Sequence, residues 1–362
     1  MKFHFLTVFF STKELFLVGV ILMLLLLVLV LLAYAIILRL IYNIKNVYYT
    51  RKQIEWEGIL LEYISGSASK TTLSYVNLAY KDWMKFGEFI EEYLVDLRGE
   101  DYDAIIQFLW DIQFNTIIKQ ALDSSDRWEV MYSAYFLGLM KDKTAENKLH
   151  KLVFDESPII SVIAFESLSK IGSSKDLYAI IKYIVNSSVF SNYRISEIIM
   201  EYGNEINPML TKLLQDTTIT DKGKRLLVDV LASRNYVESL PVIIRIAYQT
   251  NDRELTIGCI KALGEFGAPE AVDFLMAQLS SHNWVIRSQA VKSLGTISSR
   301  EIIPELKIRI RTNNHNQVKL NIAQVLFDFG DRGRKELESL LTMNIGEETA
   351  SIVRYILYET ES

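Results

Sequence analysis

Seven positions in this chain, Leu137, Leu168, Ile199, Leu231, Leu263, Leu294 and Leu326, follow one another at steps of 31, 31, 32, 32, 31 and 32 residues. The phrase around them recurs. Ala262-Leu263-Gly264-Glu265-Phe266-Gly267 returns as Ser293-Leu294-Gly295-Thr296-Ile297-Ser298. Looser copies begin at Ser167, Ile198 and Val325. A fixed period of this length is the mark of stacked repeats, and it restricts the fold more than any local motif. Eleven residues before the anchors stand Asp126, Ser157, Ser188, Thr220, Asp252, Asn283 and His315. All but His315 are side chains that accept from the orphan N–H groups of a helix start. The spacing predicts one helix of about 14 residues per unit, closed by Gly where the chain turns left-handed. A second amphipathic helix precedes each cap, as in Ala271 to Leu279 and Ile303 to Ile310. One such pair cannot bury its apolar face alone, whereas stacked pairs can. The expected fold class is therefore all-α: an N-terminal transmembrane helix followed by a right-handed α-solenoid.

The transmembrane expectation rests on Leu15 to Leu38, 24 residues without a charge. At 1.5 Å per residue they reach about 36 Å, enough to cross a hydrocarbon core of about 30 Å. A buried core helix would be amphipathic, and this one is apolar on every side. A cleaved signal peptide is the other alternative, with Ala33-Tyr34-Ala35 as its small-residue site, but the apolar run continues through Leu38. Arg39, Lys45, Arg51 and Lys52 follow the span, against Lys2 and Lys13 before it. The positive-inside rule then puts the body in the cytoplasm, the periplasm being the alternative. Tyr34, Tyr42, Tyr48 and Tyr49 suit either an interfacial belt or packing on the body.

No helix breaker stands between Leu15 and Ser65. The expected organisation is an N-terminal segment at 1–14, the membrane helix at 15–42 and a helical stalk at 43–66. Capping helices at 67–122 follow, as two stretches near 72–97 and 101–122. The repeat solenoid occupies 123–345, with a C-terminal capping helix and tail at 346–362.

The unit resembles the HEAT repeat, best in Pro269 to Gly295, where Asn283-Trp284-Val285-Ile286-Arg287 opens the second helix. The resemblance covers about 115–345 and implies that Asn283 caps a helix while Arg287 joins a ladder between neighbouring repeats. Lys319 and Lys224 stand at the ladder position of other units, and Thr256, Ser161 and Asn192 interrupt it. Most HEAT proteins are scaffolds, so the resemblance implies protein partners and little more.

Chemistry finds few candidates. The four histidines, His4, His150, His282 and His315, lack metal-ligand spacing. The HEAT-like deoxyhypusine hydroxylases rely on His-Glu pairs, and no His-Glu dipeptide occurs here. Beyond residue 52 the chain holds 33 basic and 43 acidic residues, a balance that disfavours nucleic acid and the basic groove of HEAT-like glycosylases. Cys259, the one cysteine, falls where other units carry Ala164 and Ala290, so it reads as core. Lys307, Arg309, Arg311, Arg332, Arg334 and Lys335 gather near the C-terminus, either as a solvated face or as an interaction cluster for acidic partners or lipid headgroups.

These readings converge on a single-pass membrane scaffold that binds partner proteins, with no cofactor, no metal and no catalytic residues. Its contact with the bilayer runs through residues 15–42. Two alternatives stand beside it: an accessory component of a polysaccharide or envelope export machine, and a divergent lyase-like enzyme with a concave binding site.

Overall fold

The computed structural model describes residues 12–67, 76, 78–97, 99–297 and 300–358. The expected segment before Thr12, Ser298 of the repeat phrase and the tail from 359 lie outside them. Among the described residues there are helices and turns and no strand. The chain divides into two units, Met1–Phe136 and Leu137–Ser362.

In the first unit the unbroken apolar run produces one helix, α1 (Thr12–Ile64), of 53 residues and about 80 Å. Every side chain from Phe16 to Tyr48 is exposed. Below that point the helix becomes part of a core: Trp56, Ile59 and Leu60 are buried against α2 (Trp83–Asp96) and α3 (Glu100–Asp111). Trp56 meets Phe86 edge-on at 5.1 Å. Tyr48 and Tyr49 donate their hydroxyls to the two oxygens of Asp82, at 3.1 and 3.4 Å, so these two tyrosines hold the body. Tyr34 and Tyr42 stay exposed.

Two expectations are corrected here. Within the stretch expected as a helix over 72–97, the described residues 76, 78 and 79 are not helical; Ala79 is extended, and a short 3-10 turn from Tyr80 leads into α2 and delivers Asp82 to the tyrosines. Residues 72–75 and 77 of that expectation lie outside the described residues. The helix expected over 101–122 is two, α3 and α4 (Phe114–Ala121). Gln113 between them has a left-handed backbone, φ 57°, which turns Phe114 into an aromatic core beside Phe86 and Phe136.

The second unit begins within α5 (Arg127–Leu139) and continues as helix pairs. The first helices are α6 (Glu146–Leu152), α8 (Leu177–Asn186), α10 (Asn207–Leu214), α12 (Leu240–Gln249), α14 (Val272–Gln278), α16 (Ile303–Thr312) and α18 (Asp331–Leu341). Their partners are α7 (Pro158–Ile171), α9 (Asn192–Glu201), α11 (Asp221–Ser233), α13 (Arg253–Glu265), α15 (Trp284–Ile297), α17 (Asn316–Asp328) and α19 (Glu347–Tyr358). Second helices stack on their successors, α11 on α13, α13 on α15, α15 on α17 and α17 on α19. All seven anchors are fully buried, each at about 1.5–3 kcal/mol of transfer free energy. Helix α19 adds an eighth copy in step: Leu357 follows Leu326 by 31 residues and is buried, and Gly346 stands at the cap.

The repeated Leu-Gly has a packing cause. A Cβ on Gly138 or Gly264 would lie 2.6 Å from the Cβ of Ser167 or Ser293 on the next second helix. These glycines therefore let neighbouring repeats approach. The left-handed turn comes four residues after the anchor, at Lys141, Gly172, Asn235, Gly267 and Gly330. After the first four of these anchors, the anchor carbonyl accepts from the N–H five residues on, as from Asp142 to Leu137 at 3.0 Å. Gly203 departs from the pattern, with φ −66°.

Candidate functional site

The caps set the geometry of the loop edge. Asp126, Asn283, Thr220 and Asp252 accept from main-chain N–H groups two or three residues on. Ser157 stands at its helix start, where Pro158 takes the first position. Ser188 does not cap α9. That helix starts after Ser191, and the carbonyls of Ser188 and Phe190 accept from the Lys222 ammonium, at 3.4 and 3.3 Å.

Arg287 spans two repeats. Its guanidinium donates to the carbonyls of Ser281 and His282, at 2.8 and 3.0 Å, and to the amide oxygens of Asn313 and Asn314 in the next loop, at 3.3 and 3.2 Å. The Trp284 indole lies flat on the His315 imidazole, 4.0 Å between centroids and 8° between planes. Lys319 is buried, and its ammonium lies 3.8 Å from Glu348 on α19. Thr256 and Ser161 donate to carbonyls of their own repeat, Asp252 and Val153. The structure thus brings Asn283 and Arg287 to one junction and places Lys319 at the next.

The C-terminal basic residues are divided among separate partners. Lys307 reaches Glu336 at 2.5 Å, Arg309 reaches Glu305 at 2.6 Å, and the Arg334 guanidinium covers the Phe327 ring at 4.3 Å. The Lys307 bond holds the Glu336 carboxyl below its usual range, with Arg332 contributing. Arg311, Arg332 and Lys335 are exposed.

Three features escaped the sequence. Glu166 on α7 bonds Lys170 at 2.8 Å and Arg194 on α9, tying two repeats through one nearly buried carboxylate. Arg234, the residue that follows α11, donates to carbonyls at the end of α9. A cavity of about 270 Å³ opens between α11 and α13, lined by Asp221, Lys224, Gln249, Thr250, Asn251 and Asp252 over Ile246 and Leu255. Each depends on residues about one repeat apart, and only the period itself could have pointed to them. Cys259 is wholly buried, and burial pushes its thiol up to about 12. Among the described residues no group of three or more His, Cys, Asp or Glu is placed to hold a metal ion.

Residues 206–295, which contain α10 to α14 and most of α15, match the family model described as HEAT repeats. That stretch is a run of HEAT repeats. No curated protein matches the chain. Among solved structures, E. coli YibA aligns with a TM-score of 0.40 at 15% identity, over 70% of this chain and 96% of its own. The CpcE–CpcF phycocyanin lyase complex of Nostoc sp. gives 0.30 at 16%, over 68% and 94%. Human deoxyhypusine hydroxylase gives 0.29 at 15%, over 77% and 97%. Likeness of this degree assigns neither an activity nor a partner to the HEAT array.

Proposed function

We propose that the protein is a single-pass, membrane-anchored HEAT scaffold that holds a partner protein beside the bilayer without catalysing a reaction. The observation that carries this reading is the change along α1, whose side chains are exposed and mostly apolar through the upper part and whose lower part buries one face, Trp56, Ile59 and Leu60, in a helical body. A continuous exposed apolar surface of this length needs a cover, and lipid supplies it over residues 15–42. The cations at Arg39, Lys45, Arg51 and Lys52 favour a cytoplasmic body. Arg287 and Lys319 serve in this reading as inter-repeat ties, leaving the helix faces for a partner; an extended repeat stack offers such a surface. Photo-crosslinking from exposed positions such as Tyr193, on the full chain in native membranes, tests it. A discrete protein adduct is expected, and the absence of any adduct from several exposed positions rejects the scaffold.

A further inference from the structure

The cavity between α11 and α13 has a counterpart in the repeat register of the same molecule. Adding 63 to each residue number turns its lining into the junction between α15 and α17. Asp221, Lys224, Thr250, Asn251 and Asp252 become Trp284, Arg287, Asn313, Asn314 and His315. At that junction the Trp284–His315 stack and the Arg287 guanidinium, donating to Asn313 and Asn314, occupy the space. At the earlier junction no aromatic pair can form between Asp221 and Asp252, and an ammonium replaces the planar fork. The space of about 270 Å³ stays open, roughly nine water volumes at about 30 Å³ each.

Its lining states what it would accept. Two carboxylates, Asp221 and Asp252, stand against one ammonium, Lys224, so the cavity carries an excess of negative charge. Gln249, Thr250 and Asn251 add amide and hydroxyl oxygens, and Ile246 and Leu255 give an apolar floor. A guanidinium presents planar, directed donors to carboxylate and amide oxygens, and its three-carbon stem packs on aliphatic side chains.

We infer that this cavity receives an arginine side chain presented by the partner protein, its guanidinium set among Asp221, Asp252 and the Thr250 and Asn251 side-chain oxygens, the counterparts of the acceptors that Arg287 binds two repeats later. The inference deepens the scaffold reading and rests on it.

The test uses the full chain in nanodiscs, titrated with labelled acetyl-Gly-Arg-Gly-amide and with its citrulline and lysine counterparts. The arginine probe is expected to saturate, with the uncharged citrulline probe and the lysine probe weaker by about tenfold or more. Lys224→Arg places a guanidinium of the chain in the cavity and is expected to abolish probe binding while raising Tm. Asp221→Asn is expected to weaken the arginine probe by about tenfold. Equal binding of arginine and citrulline, unchanged binding by Lys224→Arg, or no saturable binding by the parent chain overturns the assignment. Loss of the probe site with persistence of the photo-crosslinked adduct in Asp221→Asn sinks the cavity and leaves the scaffold standing. Probe binding without any protein adduct does the reverse.

Discussion

The guanidinium of Arg234 donates to the main-chain carbonyl of Ile199 at 2.6 Å, across 35 residues of sequence. The same side chain reaches the carbonyls of Tyr202 and Gly203, both at 2.9 Å, and the Asn207 side-chain oxygen at 2.7 Å. Ile199 is the anchor whose following glycine, Gly203, stays out of the left-handed region. After four other anchors the N–H five residues on closes the helix; here the Tyr202 N–H reaches the Ile199 carbonyl and the next repeat supplies the further donors. Burial holds the Arg234 pKa below its usual value, as the desolvation of a cation requires.

Arg234→Met removes those donors while keeping much of the apolar stem. Hydrogen bonds from charged groups contribute about 1.5–3 kcal/mol, and the carbonyls are left unsatisfied, so a loss of about 2–3 kcal/mol is expected. Urea unfolding of the full chain measures it. Hydrogen exchange should rise first over 199–207.

Gly264→Ala drives a Cβ to 2.6 Å from the Ser293 Cβ and 2.8 Å from its Cα, so two helices must separate. Overpacking of this kind costs about 1–3 kcal/mol. Adding Ser293→Gly should restore part of the loss in thermal unfolding, whereas a purely local helix effect would show no recovery.

Lys141 holds a left-handed backbone, φ 51°, at the position where three other repeats place a left-handed glycine. Lys141→Gly relieves that conformation and is expected to stabilise by up to about 1 kcal/mol, after the added unfolded-chain entropy is counted. A fall in Tm would mean that the lysine side chain contributes more than the backbone relief.

Burial of Glu166 opposes its charge, but its bonds to Lys170 and Arg194 outweigh that and leave its pKa below the ordinary 4.5. A depressed folded pKa contributes stability that is present above the unfolded value and disappears as pH falls through the folded one. Unfolding free energy should therefore drop below pH 4.5, and Glu166→Gln should flatten that part of the profile. An equally steep profile in the variant would assign the acid sensitivity to other carboxylates.

The anchors were legible because burial recurs with the helical and repeat periods, and the caps were legible wherever local chemistry decided the helix start. The start of α9 after Ser191, three residues past Ser188, has no local sign in the sequence. Gln113 gave no local sign of a left-handed turn; the aromatic core around Phe114 selects it. Gly346 and Leu357 keep the repeat spacing without the Leu-Gly phrase, so the phrase alone does not mark α19 as a copy in step. Arg287 was legible as a residue of the HEAT pattern, but its two acceptor asparagines lie in the following loop. The open cavity at Lys224 lies where Asp221, Lys224 and Asp252 stand in register with Trp284, Arg287 and His315, and only superposed repeats make it visible.

The most direct test of the membrane-scaffold account is protease protection of the full chain in sealed inside-out membrane vesicles, after alkaline carbonate washing. The account predicts that the chain stays with the membrane, that protease removes the helical body, and that a fragment containing residues 15–42 survives. Release of the intact chain by carbonate, or protection of the whole body, would contradict it.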